Sequence, residues 1–140
     1  MNESNLPMSD AVPQGMREDR LNKEILRSNL TGLANNTKWN ELINYMRSLS
    51  EWRPSYRSKS INGYITEWDT EWYYHLPFPF KLVLWLDIGC VESKLPNEIN
   101  PIDHSQEFEK VFSQIGFEFE KTNDIIRIFG YGPKDYSEFT

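Results

Sequence analysis

The chain has 140 residues and a formal net charge of −6. This length supports one domain with a hydrophobic core and is too short for two domains of ordinary size. The negative charge disfavours nucleic acid as a partner, since a phosphate backbone would repel it. A single cysteine, Cys90, excludes an internal disulfide and a cysteine-built zinc site. No stretch approaches the roughly 20 apolar residues of a membrane span, and no signal peptide is recognisable, so we expect a cytoplasmic protein without a membrane partner.

The N-terminal third is expected to contain two helices, one peripheral and one in the core. Residues 1–16 are polar and contain two prolines, which is typical of a flexible lead-in. Residues 17–35 are predicted to form a peripheral helix and a linker, because oppositely charged residues there recur at i,i+4 spacing. A core helix follows, capped by Asn36 or Thr37. Its apolar residues at helical spacing are Trp39, Leu42, Ile43, Met46 and Leu49.

The next segment is predicted to form antiparallel strands. Asn62-Gly63 is a turn signal between two strands, 56–60 and 64–68. For the following turn, a two-residue loop at residues 69–70 would place Glu71 opposite Trp68. A three-residue loop at residues 69–71 is favoured, because it gives one aromatic face. This loop pairs Trp68 with Trp72, Thr66 with Tyr74, and Tyr64 with Leu76. It requires one residue in the left-handed backbone conformation, which Thr70 or a neighbouring acid would have to supply.

The C-terminal half contains a central strand, a helix and a hairpin. Residues 82–88 are almost continuously apolar, which indicates a strand covered on both faces. A helix is expected from the N-cap Asp103, with Gln106 as capping-box partner, to the C-terminal cap Gly116. A two-residue loop at Asn123-Asp124 then defines a hairpin. This loop pairs Phe119 with Ile128 and Glu120 with Arg127, so that apolar and ionic pairs are both in register.

These elements predict an α+β fold. We expect a mainly antiparallel sheet of about five to six strands with helices packed on one face. Residues 36–133 are expected to form the single domain, and residues 134–140 a C-terminal tail.

The most distinctive segment of the sequence interleaves acids and aromatic rings between residues 67 and 75. Carboxylates beside rigid rings are typical of a surface that binds a basic protein partner. Trp68 and Trp72 are expected in the core, because they share a face in the favoured hairpin. The predicted partner-binding residues are Glu67, Asp69, Glu71, Tyr73, His75 and Asp87.

These residues also suit two other kinds of chemistry. His75 near carboxylates could be a general base or a metal ligand, although a hydrogen-bonded surface histidine is the favoured interpretation. The acids could bind a divalent cation, but they lack the spacing of a calcium loop, so a solvated acidic surface is preferred. Those acids are Glu67, Asp69, Glu71, Asp87 and Glu92. No metal, cofactor or catalytic residue is therefore predicted, and His104 is assigned no role.

The chain resembles a family of small uncharacterised bacterial proteins over about residues 36–131. Members of that family have an NTKW helix, a GY…EWDGEW hairpin, a WLDI strand and an IRIYGY strand. The matching segments here are Asn36-Thr37-Lys38-Trp39, Gly63-Tyr64, Glu67-Trp68-Asp69-Thr70-Glu71-Trp72, Trp85-Leu86-Asp87-Ile88 and Ile126-Arg127-Ile128-Phe129-Gly130-Tyr131. Thr70 stands where the family usually has glycine. Small acidic proteins of this kind look like the immunity proteins encoded beside secreted bacterial toxins.

The predicted function is therefore a protein-binding module, in particular an immunity-type inhibitor that occludes the active site of a basic toxin domain. Two alternatives stay open. One is a self-associating structural or regulatory protein, so that either a monomer or a homodimer is compatible with the sequence. The other is a small enzyme that uses His75 with nearby carboxylates.

Overall fold

The computed structural model describes residues 5–93 and 100–140, and in them the chain folds as an α+β protein. The helices are Glu18–Arg27 (α1), Asn36–Ser48 (α2) and Ser105–Ile115 (α3), with a 3-10 turn at Phe80–Leu82. The strands are Thr31–Gly32 (β1), Tyr56–Ser60 (β2), Val83–Gly89 (β3), Val91–Glu92 (β4), Ile102–Asp103 (β5), Phe119–Thr122 (β6), Ile125–Phe129 (β7) and Tyr131–Gly132 (β8).

The main sheet is antiparallel and has four strands in the order β2-β3-β7-β6. The predicted number of five to six was approximate, because the segment after β2 forms only isolated bridges, Tyr56 with Asp69 and Lys59 with Ile65. Strands β1 and β8 form a separate two-stranded ribbon, and so do β4 and β5. The predicted turn at Asn62-Gly63 is confirmed, since the chain reverses there against β2.

The C-terminal hairpin has the predicted register. Phe119 lies opposite Ile128 and Glu120 opposite Arg127, and the turn residue Asn123 has a positive φ of 46°. The predicted ionic pair is wrong, however. The guanidinium of Arg127 binds Asp87 on the neighbouring strand β3, and Glu120 accepts a hydrogen bond from Tyr136 instead.

Helices α2 and α3 pack on one face of the main sheet. Their start points differ slightly from prediction, since α3 has His104 rather than Asp103 at the N-cap position. Asn35 rather than Asn36 caps α2 by accepting a hydrogen bond from the backbone N–H of Lys38 at 2.9 Å. The predicted end of α3 is confirmed, since Gly116 has a φ of +97°. The core between the helices and the sheet includes Trp39, Leu42, Ile43, Met46, Trp72, Leu86, Ile88, Phe108, Phe112, Ile126 and Ile128.

The other face of the sheet is covered by the C-terminal segment, residues 133–139. The buried guanidinium of Arg127 donates to the carbonyl oxygens of Asp135 (3.0 Å) and Ser137 (2.8 Å). Lys59 forms an ion pair with the Asp135 carboxylate at 2.6 Å. The prediction that the central strand is covered on both faces is therefore confirmed, because every residue of β3 before Gly89 is buried.

Part of the predicted lead-in also contacts the domain. Ser9 is fully buried, and its backbone N–H donates to Asn40 Oδ1 of α2 at 2.9 Å. Arg47 donates to the carbonyl oxygen of Pro7 at 2.7 Å. Residues 7–9 thus pack against α2.

Candidate functional site

The segment of residues 64–75, here called the acidic–aromatic segment, is shaped by its own carboxylates. The side chain of Asp69 accepts hydrogen bonds from the backbone N–H groups of Thr70 (2.7 Å) and Glu71 (3.0 Å). The N–H of Glu71 is the main reason that the pKa of Asp69 lies below its usual value. The Asp69 side chain thus holds the backbone of the two residues that follow it.

Glu71 organises the next three residues in the same way. Its Oε1 accepts from the backbone N–H groups of Tyr73, Tyr74 (2.7 Å) and His75 (3.2 Å). Partial burial alone would raise the pKa of Glu71, but these three donors outweigh that effect and the pKa is lowered. One carboxylate thus satisfies a row of donors that would otherwise need another acceptor.

The predicted hairpin between Trp68 and Trp72 is consequently wrong. Side chains that bond to nearby backbone N–H groups compete with a strand ladder for the same donors. Residues 73–76 form bends rather than a strand, and residues 71–72 have no regular secondary structure. The left-handed residue predicted at Thr70 or a neighbouring acid is not found either. Among non-glycine residues in the described part of the chain, positive φ occurs at Asn29, Asn123 and Glu138.

The two tryptophans of the segment have different environments. Trp72 is fully buried as predicted, stacks obliquely on Tyr56 with ring centroids 4.7 Å apart, and donates its indole N–H to the carbonyl oxygen of Pro54. Trp68 was predicted in the core but is 42% exposed. Without the hairpin these residues do not share a face, and the Trp68 ring instead carries the guanidinium of Arg57 at 5.1 Å.

Tyr73 and His75 both have defined partners. The ring of Tyr73 is half-buried, and the guanidinium groups of Arg47 and Arg53 lie 5.1 and 5.5 Å from its centre. His75 is exposed, and its Nδ1 lies 2.9 Å from Asp69 Oδ2. The expected proximity of His75 to a carboxylate is therefore confirmed. The arrangement is a hydrogen-bonded surface histidine, the favoured interpretation of the sequence.

Asp87 does not belong to this surface. It is fully buried, and its carboxylate receives Arg127 at 2.7 and 2.9 Å and Arg57 at 3.0 Å. A contact residue must reach solvent, so the prediction of Asp87 as a partner-binding residue is wrong. The reason is that a strand covered on both faces leaves no direction in which a side chain can point outward. Glu67, in contrast, is exposed.

A second histidine, assigned no role from the sequence, lies in a defined carboxylate environment. His104 Nε2 is 3.1 Å from Glu92 Oε2, and its ring stacks on Trp52 with centroids 4.4 Å apart. His104 Nδ1 lies 3.9 Å from Glu107 Oε2. Only the spacing from His104 to Glu107, one helical turn, is visible in the sequence. The contacts with Trp52 and Glu92 arise from tertiary folding.

The described residues contain no group of three or more His, Cys, Asp or Glu side chains placed to hold a metal ion. Among the described helices, none has the length and apolar character needed to cross a membrane.

Comparison with known proteins gives one match. No curated protein and no solved structure matches the chain. A family model described as a family of unknown function (DUF6678) matches residues 21–135, a range that includes the acidic–aromatic segment. The resemblance to an uncharacterised family is confirmed at that level. Because the match covers most of the sequence, the chain belongs to this family of unknown function.

Proposed function

We propose that the protein is a protein-binding module whose contact surface is the acidic–aromatic segment. In its specific form, the proposal is an immunity-type inhibitor that neutralises a basic toxin domain in the cytoplasm by occluding its active site. The observation that carries the proposal is a set of exposed aromatic rings on a segment fixed by its own carboxylates.

Exposed rings are concentrated in this segment. Tyr64 is 66%, Trp68 42% and Tyr74 55% exposed. Aromatic side chains are enriched at protein interfaces, because they bury a large area while losing few rotatable bonds. The hydrogen bonds of Asp69 and Glu71 hold the backbone that carries these rings, which lowers the entropy cost of binding.

The charge distribution favours a basic partner. Glu67 is exposed within the segment, and the whole chain has a formal charge of −6. Negative charge accelerates the encounter with a basic protein and disfavours acidic competitors. In this arrangement Asp69 and Glu71 shape the surface, and Glu67 with the exposed rings contacts the partner.

The experiment immobilises the purified protein and identifies what it retains from lysate and secreted proteins of its own source at physiological salt. A retained basic protein is then purified. Its toxicity is assayed with and without the present protein added in solution. We expect Glu67→Lys and Trp68→Ala to weaken binding and neutralisation together. Glu24→Lys changes the charge equally at an exposed position of α1 and serves as the matched control.

Three outcomes would contradict the proposal. The first is equal binding by Glu67→Lys, Trp68→Ala and the control. The second is a concentration-dependent mass of the isolated protein with no partner retained, which would favour a self-associating protein. The third is a measured catalytic activity that is lost in His75→Gln, which would favour an enzyme.

A further inference from the structure

A cleft of about 360 Å³ lies between the turn that follows α2 and the start of α3. Its volume is at the small end of the range for ligand pockets, which suits a single side chain better than a large ligand. The cleft has an aromatic wall and an acidic rim. The residues that form these two parts are Trp52, His104 and Phe108 for the wall, and Glu51, Glu92 and Glu107 for the rim.

The aromatic wall is a set of nearly parallel rings. Trp52 and His104 stack with an interplanar angle of 15°. Phe108 is parallel to Trp52 within 10°, at a centroid distance of 6.2 Å. The stacked rings cover part of each other's faces, and the ring surface that lines the cleft attracts a cation through the ring quadrupole and offers a flat surface to a guanidinium.

The acidic rim is held in position by neighbouring groups. Glu92 is fixed by His104 at 3.1 Å. Glu107 accepts a hydrogen bond on Oε1 from the Tyr45 hydroxyl at 2.7 Å, while its Oε2 lies 3.9 Å from His104 Nδ1. Glu51 is exposed beside Trp52. None of the described lining residues is Lys or Arg, so the cleft is anionic.

We propose that this cleft binds one basic side chain of a protein partner, with arginine preferred over lysine. Arginine combines a flat surface for the rings with paired donors for a carboxylate, whereas lysine offers a point charge. This inference rests on the proposed function and specifies which chemical group of the partner is recognised.

Residues 52–54 link the cleft to the acidic–aromatic segment along the chain. Trp52 forms the cleft wall, and two residues later the carbonyl oxygen of Pro54 accepts the indole N–H of Trp72. Between them, Arg53 donates to the Tyr73 hydroxyl at 3.2 Å. A partner that covers the segment and also reaches the cleft would insert its arginine there, and a deeply inserted arginine is a typical anchor of an interface.

The first test uses a small probe and needs no partner. N-acetyl-arginine amide is titrated into the full-length protein, and NMR signals of the Trp52 indole N–H and the His104 ring are followed. We expect saturable shifts, and binding weaker by roughly tenfold for the neutral isostere N-acetyl-citrulline amide, because the charge-assisted bonds are lost. Glu107→Gln should also weaken binding, while Glu109→Gln on the same helix should not.

Results that would overturn the inference are absent saturation, equal shifts with the citrulline probe, or equal affinity in Glu107→Gln. Trp52→Phe keeps a ring in the wall and provides a second variant if Glu107→Gln perturbs folding.

The partner assay separates the two proposals. A retained partner that binds Glu107→Gln and Trp52→Phe as tightly as the unaltered chain would overturn the cleft assignment and leave the proposed function standing. Binding of the arginine probe without any retained protein would overturn the proposed function and support the cation site.

Discussion

The acidic–aromatic segment and the cluster around Asp87 both use carboxylates to fix the chain, but they do so in opposite environments. Asp69 and Glu71 lie near solvent and accept hydrogen bonds from backbone N–H groups. Asp87 is fully buried and accepts from two guanidinium groups, those of Arg57 and Arg127. Solvent near Asp69 and Glu71 stabilises their negative charge, whereas the buried carboxylate of Asp87 requires a cation beside it.

This difference decides what each region can do. The buried guanidinium of Arg127 is held from several directions, because it donates to Asp87, stacks on Trp85 at 3.5 Å and donates to carbonyl oxygens of the C-terminal segment. The cluster therefore joins the sheet to residues 133–139. The acidic–aromatic segment leaves rings and the Glu67 carboxylate exposed, so it remains available to a partner.

The largest effect is expected from breaking the buried cluster. Arg127→Leu should lower the free energy of unfolding by about 3–5 kcal/mol, because Asp87 loses one of its two cations without gaining access to water. Urea unfolding measures this change. Arg20→Leu, at an exposed position of α1, is the control and should alter stability by less than about 0.5 kcal/mol. Equal, small changes in both variants would show that the cluster does not hold the fold.

A smaller effect is expected from removing the carboxylate that shapes the segment. Glu71→Ala should cost about 1–2 kcal/mol of unfolding free energy, the range for losing a side chain that caps backbone N–H groups. Hydrogen exchange should accelerate at the amides of residues 73–75. Glu67→Ala is the matched control, and its exchange at those amides should be unchanged. Unaltered exchange in Glu71→Ala would contradict the role assigned to this carboxylate.

Acid should weaken the attachment of the C-terminal segment over a defined pH range. Burial opposes ionisation of Asp135, but Lys59 and the N–H of Ser137 lower its pKa from 3.8 to about 2. A depressed folded-state pKa contributes stability above the unfolded value and loses it as pH falls through the folded value. The stability difference between the unaltered chain and Asp135→Asn should therefore shrink between about pH 4 and pH 2. Urea unfolding at several pH values measures it, and a constant difference would contradict the ion pair.

The smallest effect on stability is expected at the exposed rings. Tyr64→Ser should change the free energy of unfolding by less than about 0.5 kcal/mol, because the ring is mostly in solvent. The same variant should weaken association with a partner that covers the segment. Thermal unfolding and a binding titration on one preparation separate the two effects. A loss of stability comparable with that of Glu71→Ala would mean that the ring supports the fold.

Much of the architecture follows from local patterns. The periodicity of Trp39, Leu42, Ile43 and Met46 identifies α2, and the continuous apolar run before Gly89 identifies β3. The C-terminal hairpin was predictable in register, because a two-residue loop leaves one pairing that matches both faces. The bends at residues 73–76 were not predicted, because periodicity does not show that the Glu71 carboxylate will collect three backbone donors.

The sequence by itself determined the α+β class, the two core helices, the central strand and the acidic, aromatic character of residues 64–75. Tertiary structure alone decided which carboxylates face solvent. Asp87 is thirty residues from Arg57 and forty from Arg127 along the chain, and Trp52 meets His104 only after α2 and α3 pack. Local patterns depend on neighbouring residues, whereas burial and charge pairing depend on which distant strands and helices come together.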